Sequence, residues 1–473
     1  MIEVGPAQAL TDELSVSRHP GPGTARGSLG YPARGRELVA ILASRLGETG
    51  DLWYITAAGV VNVANFVFFG LVGHLLRPSA YGAVAALLNV VSIASIPLNA
   101  VQAAVVREVV LQSRDGVAPA LRRAGALFVV CGLGATVLVA GASPLAARYF
   151  GLGTVVPVLL LAVWLAPSVA SSLFDGVLIG TLRWRPIAVS LIAGAAVRVA
   201  FAALAGAVDP GIEGPVLATV LNALVTLGVV LWVFWKSYRL PGRDQLGRDQ
   251  LRRPQLRLPV KATTSTVLAL TGYSTLVAVD TLMARHIFPA LSGGYAAAVT
   301  IGRIALFLPM AVTVVVFPRL VSDGGRGPRA RRLLLCGLLG VLCVGLVGSA
   351  VLTVARHLFV DVLFGQRYVG APPLVGLLSL EGALLGAVGL LTYFHLARRS
   401  LVAGSPAVVS LVVVVVSQWL RPGPVALAQT MVASCAGLLA VMLAASLVPE
   451  RRARCGASSP EPGRPACSLG PPR

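Results

Sequence analysis

Charge is scarce in this chain. Only 12% of its 473 residues are Asp, Glu, Lys or Arg, and 56% are hydrophobic, where a soluble domain carries about 25% charged residues. Half the usual charge on a chain this long leaves too little polar surface to cover a water-facing fold. That excludes a soluble enzyme and a disordered tail protein. Acids are scarcer than bases, 19 against 39, and only two of the cations are Lys. Cysteine is also sparse: Cys131, Cys336, Cys343 and Cys435 sit in apolar runs, and Cys455 and Cys467 near the C-terminus. None forms a close pair flanked by His at zinc spacing, so no metal site is expected. No Gly-Lys-Ser/Thr phosphate loop occurs, and the chain is not expected to hydrolyse ATP or to carry a cofactor. No cleavable signal peptide is visible before the first apolar run at Leu52.

What is abundant is apolar sequence in long runs. A helix crossing the roughly 30 Å hydrocarbon core needs about 20 mostly apolar residues. Breaks at Arg, Pro and Gly give twelve candidates: 52–75, 80–106, 124–146, 155–182, 186–208 and 214–235, then 263–288, 294–318, 333–355, 371–396, 403–420 and 424–448. With the N-terminus inside, 31 of the 39 cations fall in inner segments and 6 in outer loops, while Arg198 and Arg303 lie within spans. This alternation is the positive-inside bias. The net charge of +20 is therefore topological and argues against a nucleic-acid partner. The expected localisation is a bacterial cytoplasmic membrane, with an Arg bias that suits a G+C-rich genome and both termini cytoplasmic.

The expected organisation is an N-tail over 1–51 with an interfacial helix near 36–48, an N-lobe over 52–235, and a C-lobe over 263–448. A basic linker over 236–262 carries a tandem Gly-Arg-Asp-Gln-Leu at 242–246 and 247–251, and a Pro/Arg/Ser-rich tail fills 449–473. The linker suits an anionic lipid surface. The halves repeat each other. Residues 74–107, from His74 through Tyr81-Gly82-Ala83 and Pro97 to Arg107, match 286–319, from His286 through Gly294-Tyr295-Ala296 and Pro309 to Arg319. Tyr149-Phe150-Gly151 likewise has a counterpart in Leu363-Phe364-Gly365. Six spans per half put both halves in the same orientation, so the repeats are parallel, as in carriers that alternate access between two lobes.

Leu75-Leu76-Arg77-Pro78-Ser79-Ala80-Tyr81-Gly82 resembles the Arg-x-Leu-x-Pro-x-x-Tyr-Gly opening of polysaccharide and oligosaccharide flippases, although here the Arg directly precedes the Pro. Asp280, Gly294-Tyr295 and Phe317-Pro318-Arg319 resemble the matching part of that family's second half. The resemblance covers roughly residues 52–400. The family belongs to the multidrug/oligosaccharidyl-lipid/polysaccharide exporter superfamily. The resemblance implies an all-α polytopic membrane protein with about twelve transmembrane helices, in two parallel six-helix lobes around a central cavity.

Ionisable groups at bilayer depth are costly and mark function by default. Asp175, Arg198, Asp280, Arg303 and Glu381 are the candidates. Asp280 and Arg303 fall at similar depth on adjacent helices, and an ion pair between them is either a coupling switch or a permanent bridge. Arg198 and Glu381 lie on different lobes and meet across the cavity if both face it. Asp175 is placed to meet Arg183 or Arg185. Asp280, Glu381 and Asp175 are thus candidates for ion coupling or gating. Arg198 and Arg303 would suit an anionic pyrophosphate, since a guanidinium holds phosphate oxygens with paired donors.

Asn89, Ser92, Ser95, Asn99 and Gln102 fall within about 140° of one helix face. Such a stripe either lines the cavity or bonds a neighbouring helix. Asn62 and Asn65 extend it on the first span. His74 and His286 sit at matching outer helix ends, and Pro97 and Pro309 invite kinks.

The resulting expectation is a non-enzymatic flippase that moves a lipid-linked oligosaccharide or related polysaccharide precursor by alternating access. Its expected partners are the glycan lipid, membrane lipids, and glycosyltransferases or a polymerase of the same pathway. The alternatives are a multidrug or cation antiporter, a lipid II flippase of the same superfamily, and a membrane glycosyltransferase or polymerase. The last is opposed by short outer loops with few acids: Asp209, Glu213 and Asp361.

Overall fold

A computed structural model of the chain describes residues 49–111, 130, 132–181, 183–237, 260–307, 309, 328–398 and 400–447. The expected interfacial helix near 36–48, the tandem repeat at 242–251 and the tail over 449–473 lie outside the described residues. Every described element is helical: α1 Thr49–Leu75, α2 Pro78–Leu111, α3 Gly132–Gly141, α4 Ser143–Tyr149, α5 Val156–Gly180, α6 Trp184–Val208, α7 Glu213–Ser237, α8 Val260–Ile287, α9 Ser292–Phe307, α10 Pro328–Val354, α11 Arg356–Leu363, α12 Pro372–Ala397, a 3-10 turn Leu401–Gly404, α13 Ser405–Leu420 and α14 Pro424–Leu447.

Helix is what apolar runs must adopt in hydrocarbon, where each backbone N–H and C=O needs an internal partner. Proline marks several starts: Pro78, Pro372 and Pro424 open their helices and Pro406 follows one residue behind. At these positions no backbone N–H is missed. Ten helices are long and apolar enough to cross a membrane. The expected third and eighth spans are described only in part, as α3 and α9. Trp53, Trp232 and Trp235 are exposed at one end of α1 and α7, and Lys236 Nζ sits 5.2 Å above the Trp232 ring. Tryptophan with a cation at helix ends is the dress of a membrane interface.

Two groups of helices pack around each other. In the first, α6 packs on α1 and α7, and α5 on α2 and α7; in the second, α12 is the hub for α9, α10 and α14, while α13 packs on α8. The first group is termed the N-lobe and the second the C-lobe. Between them α2 lies along both α8 and α9. By the internal repeat, α1 and α9 are the counterparts of α2 and α8. Among the described residues α1 and α9 do not pack along their length, and the rings of Phe66 and Phe307 meet edge-on at 6.3 Å. Among the described residues, one lateral seam is therefore zipped and its partner is not.

The end carrying Leu75, Tyr149, Ile287 and Leu363 is the one that the charge bias assigns to the outside. There the lobes grip each other reciprocally. Each lobe makes a short helix (α4, α11) that ends in Phe-Gly, with Gly151 at φ +57° and Gly365 at φ +82°. These backbone conformations favour glycine. The N-lobe turn is held by Arg285 of the C-lobe, which donates from Nε to Phe150 O (2.8 Å) and from Nη2 to Gly151 O (3.1 Å). Its Nη1 reaches Ser79 O at 3.0 Å. His286 stacks on Tyr149 at 4.0 Å and donates from Nδ1 to Tyr149 O at 2.9 Å. In return, Tyr368 of the C-lobe donates to Gly73 O at 2.9 Å, and Phe364 lies so close to Gly73 that a Cβ there would collide with its ring. His74 faces Gly365 and donates from Nδ1 to Gly70 O. Arg285, counted among outer-loop cations by sequence, is thus buried as a staple between the lobes.

Candidate functional site: a two-arginine cavity between the lobes

A cavity of about 280 Å³ opens between α1, α2, α5, α6 and α7 on one side and α9 on the other. The N-lobe supplies Asn62, Asn65, Asn89, Ser92, Ser95, Arg198 and Asn222 to its wall; the C-lobe supplies Thr300, Arg303 and Phe307. Both intramembrane arginines face this space, and among the described residues no carboxylate lines it.

Each guanidinium is held by an asparagine. Arg198 Nη1 donates to Asn65 Oδ1 at 2.8 Å, and its Cζ lies 3.9 Å above the Phe68 ring. Arg303 Nη2 donates to Asn89 Oδ1 at 2.8 Å, across the lobe boundary, and to Val277 O at 3.1 Å. The Nε of each arginine is buried without a hydrogen-bond partner. Unspent donors on buried cations are what an anionic ligand would complete. The wall hydroxyls of Ser92, Ser95 and Ser168 donate back to carbonyls four residues earlier, leaving their oxygens as acceptors.

Behind Arg303, inside the C-lobe, lie Asp280 (1% exposed) and Glu381 (3% exposed). Both act electrostatically on Arg303 and on Tyr295 and Cys435. The expected direct ion pair of Asp280 with Arg303 is not formed among the described residues. Asp280 instead accepts from Thr281 Oγ1 at 3.2 Å, and Arg303 spends its hydrogen bonds on Asn89 and Val277. Equal depth brings the two side chains near each other, but rotation about α9 turns the guanidinium toward α2.

Arg198 and Glu381 do not meet across the cavity either, because Glu381 is sealed behind α9 with its Oε2 unpartnered. Asp175 is not paired with Arg183 or Arg185; its Oδ1 is buried without a partner, near Tyr54. The polar stripe of α2 divides: Asn89, Ser92 and Ser95 line the cavity, and Asn99 and Gln102 do not. Beyond Pro97, α5 seats against α2 through Gly176, where an added Cβ would stand 2.9 Å from Gln102 O, and through Gly180 against Val109. That contact withdraws the inner half of α2 from the cavity. Asn222, Thr226, Ser168 and Thr219 also line the wall and were not among the expected residues; Asn222, an amide inside an apolar run, is the signal the sequence carries for them.

Comparison with known proteins matches this arrangement. An uncharacterized protein of Mycobacterium tuberculosis (strain ATCC 25618 / H37Rv), Rv3630, is 26% identical over 359 residues, covering 71% of this chain and 77% of its own. Among solved structures, lipid II flippase MurJ in an inward closed conformation is similar with a TM-score of 0.66 and 11% identity, over 83% of this chain and 87% of that one. A multidrug resistance MATE family transporter of the MOP superfamily, inward-facing, is similar with a TM-score of 0.54 and 15% identity, over 82% and 93%. At these identities the structures establish a shared transporter fold. The family of polysaccharide biosynthesis proteins matches residues 71–373, the stretch that carries the Tyr-Gly opening, the reciprocal Phe-Gly turns and most of the cavity wall, and the chain belongs to that family.

Proposed function

We propose that the protein is a flippase that carries a lipid-linked, phosphate-bearing glycan precursor to the outer leaflet of a bacterial cytoplasmic membrane, with both termini cytoplasmic. The observation that carries this reading is the cavity: two arginines with unspent donors, amides and hydroxyl oxygens, and no carboxylate among the described residues of the wall. Guanidinium suits a phosphate or pyrophosphate, and the Asn62 and Asn222 amides suit sugar hydroxyls. The α1/α9 seam, which is unpacked among the described residues, supports a cargo whose tail stays in the bilayer while its headgroup occupies the cavity. A cationic drug, the cargo of the antiporter reading, finds no counter-charge in this wall. Enzymes that build the glycan and polymerise it would act on either side of the transport step.

Asp280 and Glu381 with Arg303 form a buried cluster that is one positive charge short when both carboxylates are ionised. A proton or a monovalent cation supplies it, which makes this cluster the proposed coupling site. If Asp280→Asn with Glu381→Gln leaves transport and its dependence on the proton or sodium gradient unchanged, coupling lies elsewhere. The cargo itself is tested by deleting the gene and measuring polyprenyl-linked glycans by mass spectrometry beside the surface polysaccharide. Accumulated glycan lipid with loss of surface polymer is expected, and its mass identifies the cargo. Normal glycans with altered sensitivity to cationic drugs would instead establish the antiporter.

A further inference from the structure

Asn89 and Arg303 occupy equivalent places in the two repeats. Each stands eight residues after a fully buried tyrosine, Tyr81 or Tyr295. Each lies eleven residues from the start of its helix, Pro78 or Ser292, about 16 Å down at 1.5 Å per residue. The two helices meet at the outer end so closely that a Cβ on Gly293 would overlap Pro78 O. Lower down, Tyr81 Oη and Thr300 Oγ1 are 3.1 Å apart. The Asn89–Arg303 bond, at 2.8 Å, closes the series near mid-membrane. Both of its partners line the cavity. In the Tyr81–Thr300 pair only Thr300 does, and Arg285 and His286 bond outside the cavity altogether.

We propose that the Asn89–Arg303 hydrogen bond is an anion-sensitive latch between the lobes. This rests on the anionic-cargo reading above. A phosphate oxygen entering the cavity competes with Asn89 Oδ1 for the donors of Arg303. It wins because it adds the attraction of a full opposite charge in a low-dielectric cavity, and because a guanidinium holds phosphate oxygens with paired donors. Binding thus removes a contact between α2 and α9 at the moment the cavity is filled. Asn89 keeps its own tether, from Nδ2 to Ala85 O at 2.9 Å, so its side chain stays poised to re-form the bond when the anion leaves. The latch holds the empty carrier closed at the outer end and yields to the loaded one. A ligand shifts an equilibrium only by its differential affinity for the two states, and the latch supplies such a difference.

The test uses the full chain in lipid nanodiscs, with native cysteines replaced and spin labels at Val208 and Val369, exposed positions near the outer ends of the two lobes. Farnesyl pyrophosphate is the probe and farnesol its neutral control. Binding is measured separately from the inter-lobe distance distribution. Wild type is expected to stay short without probe and to gain a longer distance with farnesyl pyrophosphate but not with farnesol. Asn89→Leu is expected to populate the longer distance roughly ten-fold more without any probe, the worth of a hydrogen bond to a charged group. Asn89→Asp, which pairs with Arg303 as a charge, is expected to stay short even with probe bound. Asn89→Leu and Asn89→Asp distributions that both match wild type would overturn the latch. Absence of probe binding to wild type would overturn the anionic reading, and the probe-free Asn89→Leu measurement would then still decide whether the bond holds the lobes together.

Discussion

The two lobes share a repeat and differ in what they do with their interior. In the C-lobe, glycines bring helices into backbone contact: a Cβ on Gly302 would stand 2.6 Å from Leu378 O, and one on Gly382 2.5 Å from Gly302 O. Here 78% of the α12 span is buried, against 56% for α5, the N-lobe helix that follows the matching Phe-Gly turn. The N-lobe leaves a polar hollow where the C-lobe is solid. Charge follows the same division. The arginine of the N-lobe has an amide and an aromatic ring for company, and that of the C-lobe has two carboxylates behind it. On the proposed function, the one lobe would receive the ligand and the other would couple a charge to its movement.

The largest expected effect comes from removing each arginine in turn. Arg303→Ala strands Asp280 and Glu381 in the C-lobe without their cation, and breaking a buried charge set in this way costs about 3–5 kcal/mol. Arg198→Ala strands no acid. It loses a cation–ring contact and the bond to Asn65, but it also removes a buried cation that has no counter-charge among the described residues, so its stability should remain within about 1 kcal/mol of wild type. Thermal unfolding in detergent measures both. Adding Asp280→Asn and Glu381→Gln to Arg303→Ala should recover most of the loss, because no charge is then left unpaired. Equal losses for the two single variants would erase the electrostatic distinction between the lobes.

Glycine substitutions sharpen the packing half of the comparison. Gly302→Ala drives a methyl group against the backbone of α12, which cannot swing aside, and overpacking of this kind costs about 1–3 kcal/mol. Gly194→Ala in the N-lobe meets Asn222 Oδ1 and Thr226 Oγ1 first. These are side-chain tips beside an open cavity, so they can move into it. Its cost should fall below about 1 kcal/mol, with the effect appearing in cargo binding instead. A melting series that ranked Gly194→Ala as the more harmful would show that the hollow is as rigid as the packed core.

Much of this was legible in order and spacing. Apolar runs closed by Pro and Arg located the ten described spans, because hydrocarbon leaves the backbone no option but helix. The Tyr-Gly and Phe-Gly repeats marked segments that meet at the outer clasp. Residue types at bilayer depth singled out Arg198, Arg303, Asp280 and Glu381 as candidates, since such groups are costly there; the two arginines line the cavity and the two acids are buried. Rotation about a helix axis was not legible, and it decides partners. Depth arithmetic placed Asp280 level with Arg303, yet the guanidinium turns to Asn89 on the other lobe. Helical periodicity kept Asn99 and Gln102 on the cavity stripe, and the Gly176 contact of α5 withdraws them. Asn222 was not among the expected cavity residues, although Thr219, Asn222 and Thr226 share a helix face as Asn89, Ser92 and Ser95 do. Arg285 looked like a loop cation because nothing local shows that a neighbouring lobe will bury it.

The smallest stability effect and the most selective functional one should come from Asn62. Its side chain is exposed into the cavity, and no hydrogen bond is recorded for it among the described residues. Asn62→Ala should therefore leave the unfolding midpoint unchanged, within the roughly 0.5 kcal/mol typical of substitutions that touch nothing structural. If the N-lobe wall reads sugar hydroxyls, the same change removes one hydrogen-bonding group and should weaken binding of a glycan-bearing lipid several-fold. Binding of the bare prenyl pyrophosphate, which is held by the arginines, should not change. Asn65→Ala supplies the contrast, since Asn65 Oδ1 holds Arg198 and its loss should weaken both ligands together. A glycan-specific loss at Asn62 beside a general loss at Asn65 would divide the hollow into a sugar wall and a phosphate corner. Parallel losses would mean that the amides act only by positioning arginine, and that recognition in this lobe is electrostatic alone.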